Sequence, residues 1–108
     1  MPSEFEHIKF LVDRMAVALK PLKIYLFGSF AEGTATAESD YDFYIVMPDS
    51  DKRHLLDLMT EAQRALRHQK RCPVDVIVNR QAAFEAAKTS ALSIENVIAH
   101  KGILLYGN

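Results

Sequence analysis

The chain alternates between short apolar runs bounded by glycine or proline and longer stretches with apolar residues at helical spacing, and this order limits the folds open to it. Buried strands are predicted at 23–27, 42–47 and 74–78, with a last short strand at 103–106. Helices are predicted near 3–19, from the turn at 49–51 to about 69, and at 81–89 and 92–100. The order predicts an α/β (α+β) fold in which helices flank a small mixed sheet.

Local signals set the expected ends of the helices. Ser3-Glu4-Phe5-Glu6 matches a capping box, and Pro21 ends the first helix. Side-chain acceptors in Asp49-Ser50-Asp51 predict the start of the helix before the third strand run. The apolar stripe expected to bury that helix is Leu55, Leu56, Met59, Ala62 and Leu66. Residues 28–39 are predicted to form a loop with one helical turn.

Length and composition exclude several classes of protein. The chain has 108 residues, 49% of them hydrophobic, which predicts a single globular domain over residues 1–108. The single cysteine, Cys72, excludes an intramolecular disulfide and fits a reducing compartment, so the predicted location is cytoplasmic. No apolar run reaches the ~18 residues of a membrane span, and we expect no membrane partner.

Charge is unevenly distributed along a nearly neutral chain. The net charge is −1, which disfavours direct nucleic-acid binding. Residues 1–51 nevertheless carry nine acidic and four basic side chains, and residues 52–108 carry five acidic and nine basic ones. The acidic excess of the first half points to a cluster of carboxylates.

Three carboxylates stand at strand positions. Asp40 and Asp42 enter the second strand, and side chains two residues apart on a strand share one face. Asp75 is the only polar residue in the Val74–Val78 run, where a buried carboxylate needs a counter-charge. If the two strands are neighbours, the three could surround one or two Mg²⁺ ions. The alternatives are a turn cap or solvated pair for Asp40 and Asp42, and a structural salt bridge between Asp75 and Arg80.

A small residue pair ends the first strand. Gly28 allows the backbone to approach a phosphate closely, and Ser29 can donate its hydroxyl. A phosphate cradle followed by a carboxylate pair and a third carboxylate supplies the parts of metal-assisted phosphoryl transfer.

These motifs resemble a known family. Gly28-Ser29, ten residues, then Asp40-Tyr41-Asp42 match the G-S-x10-D-x-D signature of the DNA polymerase β-like nucleotidyltransferases. The short chain and Val74-Asp75-Val76 are similar to the minimal nucleotidyltransferase group, whose members are commonly paired with HEPN-domain proteins in toxin–antitoxin modules. The resemblance covers about residues 22–79, and the closing segment 94–106 is also similar.

The resemblance implies a role for each matching residue. Asp40 and Asp42 would ligate the Mg²⁺ that bridges the nucleotide phosphates. Asp75 would complete a second metal site and help to deprotonate the acceptor hydroxyl. Gly28 and Ser29 would hold the β- and γ-phosphates.

By the same resemblance, the chain would transfer AMP from ATP to a hydroxyl of a HEPN toxin and thereby act as the antitoxin. At this length it would be a catalytic core without its own acceptor-binding domain. Glu32 departs from the group, which frequently has an arginine there, and this puts one triphosphate contact in doubt.

Other interpretations stay open at this point. The chain could neutralise a partner by contact alone, or act as an aminoglycoside-type nucleotidyltransferase with a helical subunit in trans. The basic Arg64–Arg71 segment fits either a helix C-terminus stabilised by cations or a partner-facing surface. The sequence leaves the transferred nucleotide, the acceptor residue and the homo- or hetero-oligomeric state open.

Overall fold

The computed structural model describes residues 4–108, so the predicted Ser3 cap lies outside the described residues. The helices are α1 (Glu4–Leu19), α2 (Ser29–Glu32), α3 (Leu55–Ala65), α4 (Gln81–Ala87) and α5 (Ile94–Lys101). The strands are β1 (Lys23–Phe27), β2 (Tyr41–Met47), β3 (Val74–Arg80) and β4 (Ile103–Tyr106). The predicted element order and the predicted α+β class are confirmed.

Within residues 4–108, four strands form one mixed sheet in the order β3-β2-β1-β4. The β1 strand pairs antiparallel with both β2 and β4, whereas β2 and β3 run parallel. The C-terminal end of β1 therefore lies beside the N-terminal ends of β2 and β3. The residues that leave β1 and those that enter β2 and β3 meet at one edge of the sheet.

Helices cover both faces of this sheet. On one face, the apolar sides of α1 and α3 pack against alternate residues of β2, which include Tyr41, Phe43 and Ile45. On the other face, Phe84 of α4 and Ile98 of α5 pack against Tyr44 and its neighbours. Side chains alternate along a strand, so Asp42 lies on the same face as Tyr44. This second face carries the predicted carboxylates.

The prediction for α3 is wrong at its start, at its end and in part of its stripe. Asp51 binds Arg53, and Asp49 Oδ1 accepts a hydrogen bond from the Ala82 amide at 3.1 Å, so neither caps the helix. The helix begins at Leu55 and ends at Ala65. Its buried side includes Leu58, which the predicted stripe omitted, while Leu56 is 74% exposed. The contact of Asp49 spans 33 residues of sequence, so no local signal could reveal it.

The membrane expectation can be compared with the helices directly. Among the described residues, no helix combines the length and the apolar character needed to cross a bilayer. The longest of them, α1, has 16 residues, and five of these are charged.

Candidate active site

Strand pairing brings two of the predicted carboxylates together. In the antiparallel pair β1–β2, Phe27 is opposite Asp42, and in the parallel pair β2–β3, Asp42 is opposite Asp75. Asp40 lies two residues before Asp42, just outside β2, and its charge acts on the Asp42 carboxyl. All three therefore lie at the edge where β1 ends and β2 and β3 begin.

Gly28 follows β1 directly and lies against the same carboxylate. Its backbone has φ 77° and ψ −154°, a conformation that only glycine adopts readily. A Cβ atom at this position would collide with the Asp42 side chain. Ser29 is the first residue of α2 and directly follows Gly28, so its backbone lies at the same end of β1. The structure thus adds a contact between Gly28 and Asp42 that the sequence motif did not reveal.

The surroundings of the Asp42 carboxyl disfavour its ionised form. Its pKa is raised from 3.8 to about 6. Burial is the largest cause, and the charges of Asp75 and Asp40 and a hydrogen bond with Asp75 act in the same direction. Negative charge is therefore concentrated here beyond what the surroundings neutralise, and a cation would relieve it.

Asp75 differs from its prediction. The sequence suggested a buried carboxylate, but Asp75 is exposed, because β3 is the edge strand and this end of the face is uncovered. The alternative salt bridge with Arg80 is also wrong. Arg80 Nε donates to the Asp51 carbonyl at 2.9 Å, and a second guanidinium nitrogen donates to the Arg53 carbonyl. Asp75 is thus accessible to solvent and to any molecule that approaches this end of the sheet.

The carboxylates at this end of the sheet supply the kind of oxygen ligands that a divalent cation needs. Among the described residues, no three His, Cys, Asp or Glu side chains are close enough together to form a metal site as they stand. Mg²⁺ is commonly bound by one or two carboxylates together with waters and substrate phosphates. The Asp42–Asp75 pair, with Asp40 nearby, offers oxygen ligands of that kind, and the raised pKa of Asp42 indicates a need for positive charge. The residues present fit a magnesium ion, and its ligation by all three remains a prediction.

Neighbouring residues support this edge of the sheet. The Tyr44 hydroxyl donates to Glu95 at 2.8 Å and ties β2 to α5 two residues after Asp42. Sequence analysis missed this bond, because the 51-residue separation leaves no local signal.

Glu32 lies 4.0 Å from Lys101, so the acid that departs from the family pattern has a cation beside it. Burial raises the pKa of the Cys72 thiol, which argues against a reactive thiolate.

Solved structures with this architecture are known. A Sulfolobus solfataricus protein assigned as a nucleotidyltransferase aligns with a TM-score of 0.63 and 23% identity, over 94% of this chain and 78% of that one. A toxin–antitoxin structure with AMP-PNP aligns with a TM-score of 0.59 and 22% identity, over 93% of this chain and 73% of that one. An MntA–HpeT toxin–antitoxin variant, in which two aspartates with one residue between them are replaced by glutamate, aligns with a TM-score of 0.57 and 20% identity, over 93% of this chain and 73% of that one. At these identities the likeness establishes the fold.

Comparison with sequence families identifies the family as well as the fold. Among curated proteins, none is similar enough in sequence to match the chain. The family model described as "Polymerase beta, Nucleotidyltransferase" matches residues 8–108, which include Gly28, Ser29 and all three aspartates. The chain therefore belongs to the polymerase beta nucleotidyltransferase family.

Proposed function

We propose that the chain is a Mg²⁺-dependent nucleotidyltransferase that moves AMP from ATP to a hydroxyl of a partner protein, and that the partner is a HEPN toxin neutralised in this way. The observation that carries the proposal is the strand-end arrangement of Gly28, Asp42 and Asp75, with the pKa of Asp42 raised to about 6. Family membership supports nucleotidyl transfer. The neighbour with AMP-PNP supports ATP as the donor, and the toxin–antitoxin neighbours support the biological role.

Each residue would have one role in this reaction. Asp40 and Asp42 would hold the metal, which when bound would neutralise charge on the phosphate oxygens. The backbone at Gly28 and the Ser29 hydroxyl would hold the β- and γ-phosphates. Asp75, exposed beside Asp42, would accept the proton of the acceptor hydroxyl. The acceptor oxygen bonds to the α-phosphorus, the bond to the β-phosphate oxygen breaks, and pyrophosphate leaves.

The aspartate spacing gives independent support. In the MntA–HpeT variant structure, two aspartates separated by one residue were chosen for replacement by glutamate. Asp40 and Asp42 have the same separation, and the fold places them at the edge of the sheet that also contains Gly28 and Asp75.

A test in cells separates catalysis from neutralisation by contact. The protein encoded beside this chain's gene is expressed with the wild type or with the double variant Asp40→Asn/Asp42→Asn. We expect the wild type to restore growth and to add the mass of adenylyl groups to its partner, and the double variant to do neither while still copurifying with the partner. Equal rescue by the double variant, with no added mass, would instead establish a contact antitoxin.

A further inference from the structure

The start of β4 lies at the same edge of the sheet as the candidate active site. β4 pairs antiparallel with β1, and Ile103 is opposite Leu26. The strand therefore begins beside the end of β1, on the side away from β2. Gly28 follows β1 directly, so the carboxylates of β2 and β3 lie on one side of it and the junction of α5 with β4 lies on the other.

A cation is located at this junction. Lys101 is the last residue of α5, and Gly102 joins it to β4. A Cβ atom on Gly102 would collide with the Ile98 carbonyl oxygen, so the glycine allows the helix to end directly before the strand. The helix packs through Ile98 against the second face of the sheet, the face on which Asp42 lies. Lys101 therefore approaches the end of β1 from the face that carries the candidate metal ligands.

The short helix α2 brings an acid to this cation. Phe30 and Ala31 pack against the core on the first face of the sheet. Ser29 and Glu32 are the other two residues of this turn, and residues three apart on a helix are neighbours, with about 5–6 Å between their Cβ atoms. Glu32 Oε1 lies 4.0 Å from Lys101 Nζ. The ammonium group is therefore held close to the residue proposed to bind phosphate.

The contact between Lys101 and Glu32 is loose. The 4.0 Å between the charged atoms exceeds a hydrogen-bond length, and 66% of the Lys101 side chain is exposed. The ammonium group makes no hydrogen bond with any residue in 4–108, so its N–H donors are available to a ligand. Exposed ion pairs contribute little to stability. The pair can therefore open at small cost when a more highly charged anion approaches.

We propose that Lys101 binds the β- and γ-phosphates of the donor nucleotide and that Glu32 competes with these phosphates for it, a role that rests on the proposed nucleotidyl transfer. A nucleoside triphosphate carries several negative charges. The carboxylates on one side of Gly28 can hold a cation against them, and Lys101 supplies positive charge from the other side. Without nucleotide, Glu32 holds the ammonium group; with the triphosphate bound, Lys101 turns from Glu32 to the phosphate oxygens.

A purely structural role for the pair predicts a different result. A cation at the C-terminus of α5 also interacts favourably with the helix dipole. If Lys101 did only this, removal of either charge would affect stability slightly and leave nucleotide binding unchanged. Competition instead predicts opposite effects on triphosphate binding, because the loss of Lys101 removes a ligand contact, whereas the loss of the Glu32 charge removes a competitor.

The test measures nucleotide binding to the full chain by calorimetry, with Mg²⁺ and without an acceptor protein. The ligands are α,β-methylene-ATP, which cannot release pyrophosphate, and AMP, which lacks the β- and γ-phosphates. Lys101→Met should bind the triphosphate analogue about tenfold more weakly, since a hydrogen bond to a charged group is lost. Lys101→Arg should retain most of the affinity. Glu32→Gln should bind the analogue about twofold to fivefold more tightly, and AMP binding should change in none of them.

A second lysine–glutamate pair provides the matched control. Lys88 caps the C-terminus of α4 and pairs with Glu85, so Lys88→Met and Glu85→Gln remove the same charges at another helix end. Both should bind the analogue as the wild type does. Unchanged binding in Lys101→Met, weaker binding in Glu32→Gln, or an equal loss of AMP affinity would overturn this role of Lys101 alone. A wild-type chain that binds no triphosphate would overturn the proposed transfer reaction as well.

Discussion

Replacing Asp42 with asparagine is expected to abolish nucleotidyl transfer and, in the metal-free protein at neutral pH, to raise the melting temperature. Loss of an outer-shell partner of a metal site costs roughly 10–100-fold in activity, and loss of a ligand should cost more. The asparagine amide fills nearly the same volume as the carboxylate and carries no charge. It therefore removes the cost of burying a charged carboxylate and the repulsion from Asp75 and Asp40, together with the charge that would hold a metal.

The sign of the stability change follows from the pKa of Asp42. Because its value of about 6 in the folded protein exceeds the ordinary 3.8, the native state takes up a proton between these values, and stability falls as pH rises from about 4 to 6. Above pH 6 the Asp42 carboxylate is ionised in the folded protein, and its full cost to the free energy of unfolding is present. The shift sets a ceiling of about 3 kcal/mol, and partial exposure of the side chain reduces the expected gain to about 1–2 kcal/mol.

Calorimetry in EDTA at pH 7.5 and pH 4 measures this difference. For a chain of this size, each kcal/mol corresponds to roughly 4–8 °C in Tm. Asp42→Asn should melt above the wild type at pH 7.5 and together with it at pH 4. Asp13→Asn, on the exposed side of α1, is the matched control and should shift neither melting temperature nor activity. A variant that melts at or below the wild-type temperature at pH 7.5 would contradict the assigned electrostatics.

Gly28→Ala is expected to impair activity far more than its loss of stability explains. At φ 77° and ψ −154° an alanine costs about 1–3 kcal/mol of backbone strain. Its Cβ would also displace the Asp42 carboxylate, since the two would collide. A shift of about 1 Å at a reacting group can cost roughly a hundredfold in rate. We therefore expect a loss of kcat/KM of at least that size in protein that remains folded.

Gly33→Ala is the control matched to this change. Gly33 also has a positive φ of 76°, but a Cβ there meets no atom within 4 Å. Its ψ of 17° places it in the left-handed region, where an alanine costs about 1–2 kcal/mol. It should lose comparable stability and keep near-wild-type activity. If both variants lose activity in parallel with Tm, Gly28 has only a structural role.

Elements whose signals are local could be predicted from the sequence. Residues 23–27 form β1 as predicted, because an apolar run is bounded there by Pro21 on one side and Gly28 on the other. The single helical turn after Gly28 and the closing strand 103–106 were also predicted. In each case the residues that start or stop the element are its sequence neighbours.

Features that depend on distant partners could not be predicted. The acceptors expected to cap α3 are used elsewhere, since Asp49 binds the start of α4, 33 residues away. The exposure of Asp75 depends on β3 being at the sheet edge, which no local pattern reveals. The contact between Gly28 and Asp42 needs the β1–β2 register. The motif therefore pointed to the candidate site residues, and only the fold showed which of them lie side by side.

The proposed chemistry is tested most directly by following each phosphate of ATP. The chain, Mg²⁺ and the protein encoded beside its gene are incubated with ATP radiolabelled at either the α- or the γ-phosphate. Transfer of the nucleotide predicts that the partner retains the α-label only, that the γ-label leaves in pyrophosphate, and that Asp40→Asn/Asp42→Asn labels nothing. A partner carrying the γ-label, or one labelled equally by the double variant, would contradict a nucleotidyltransferase built on these aspartates.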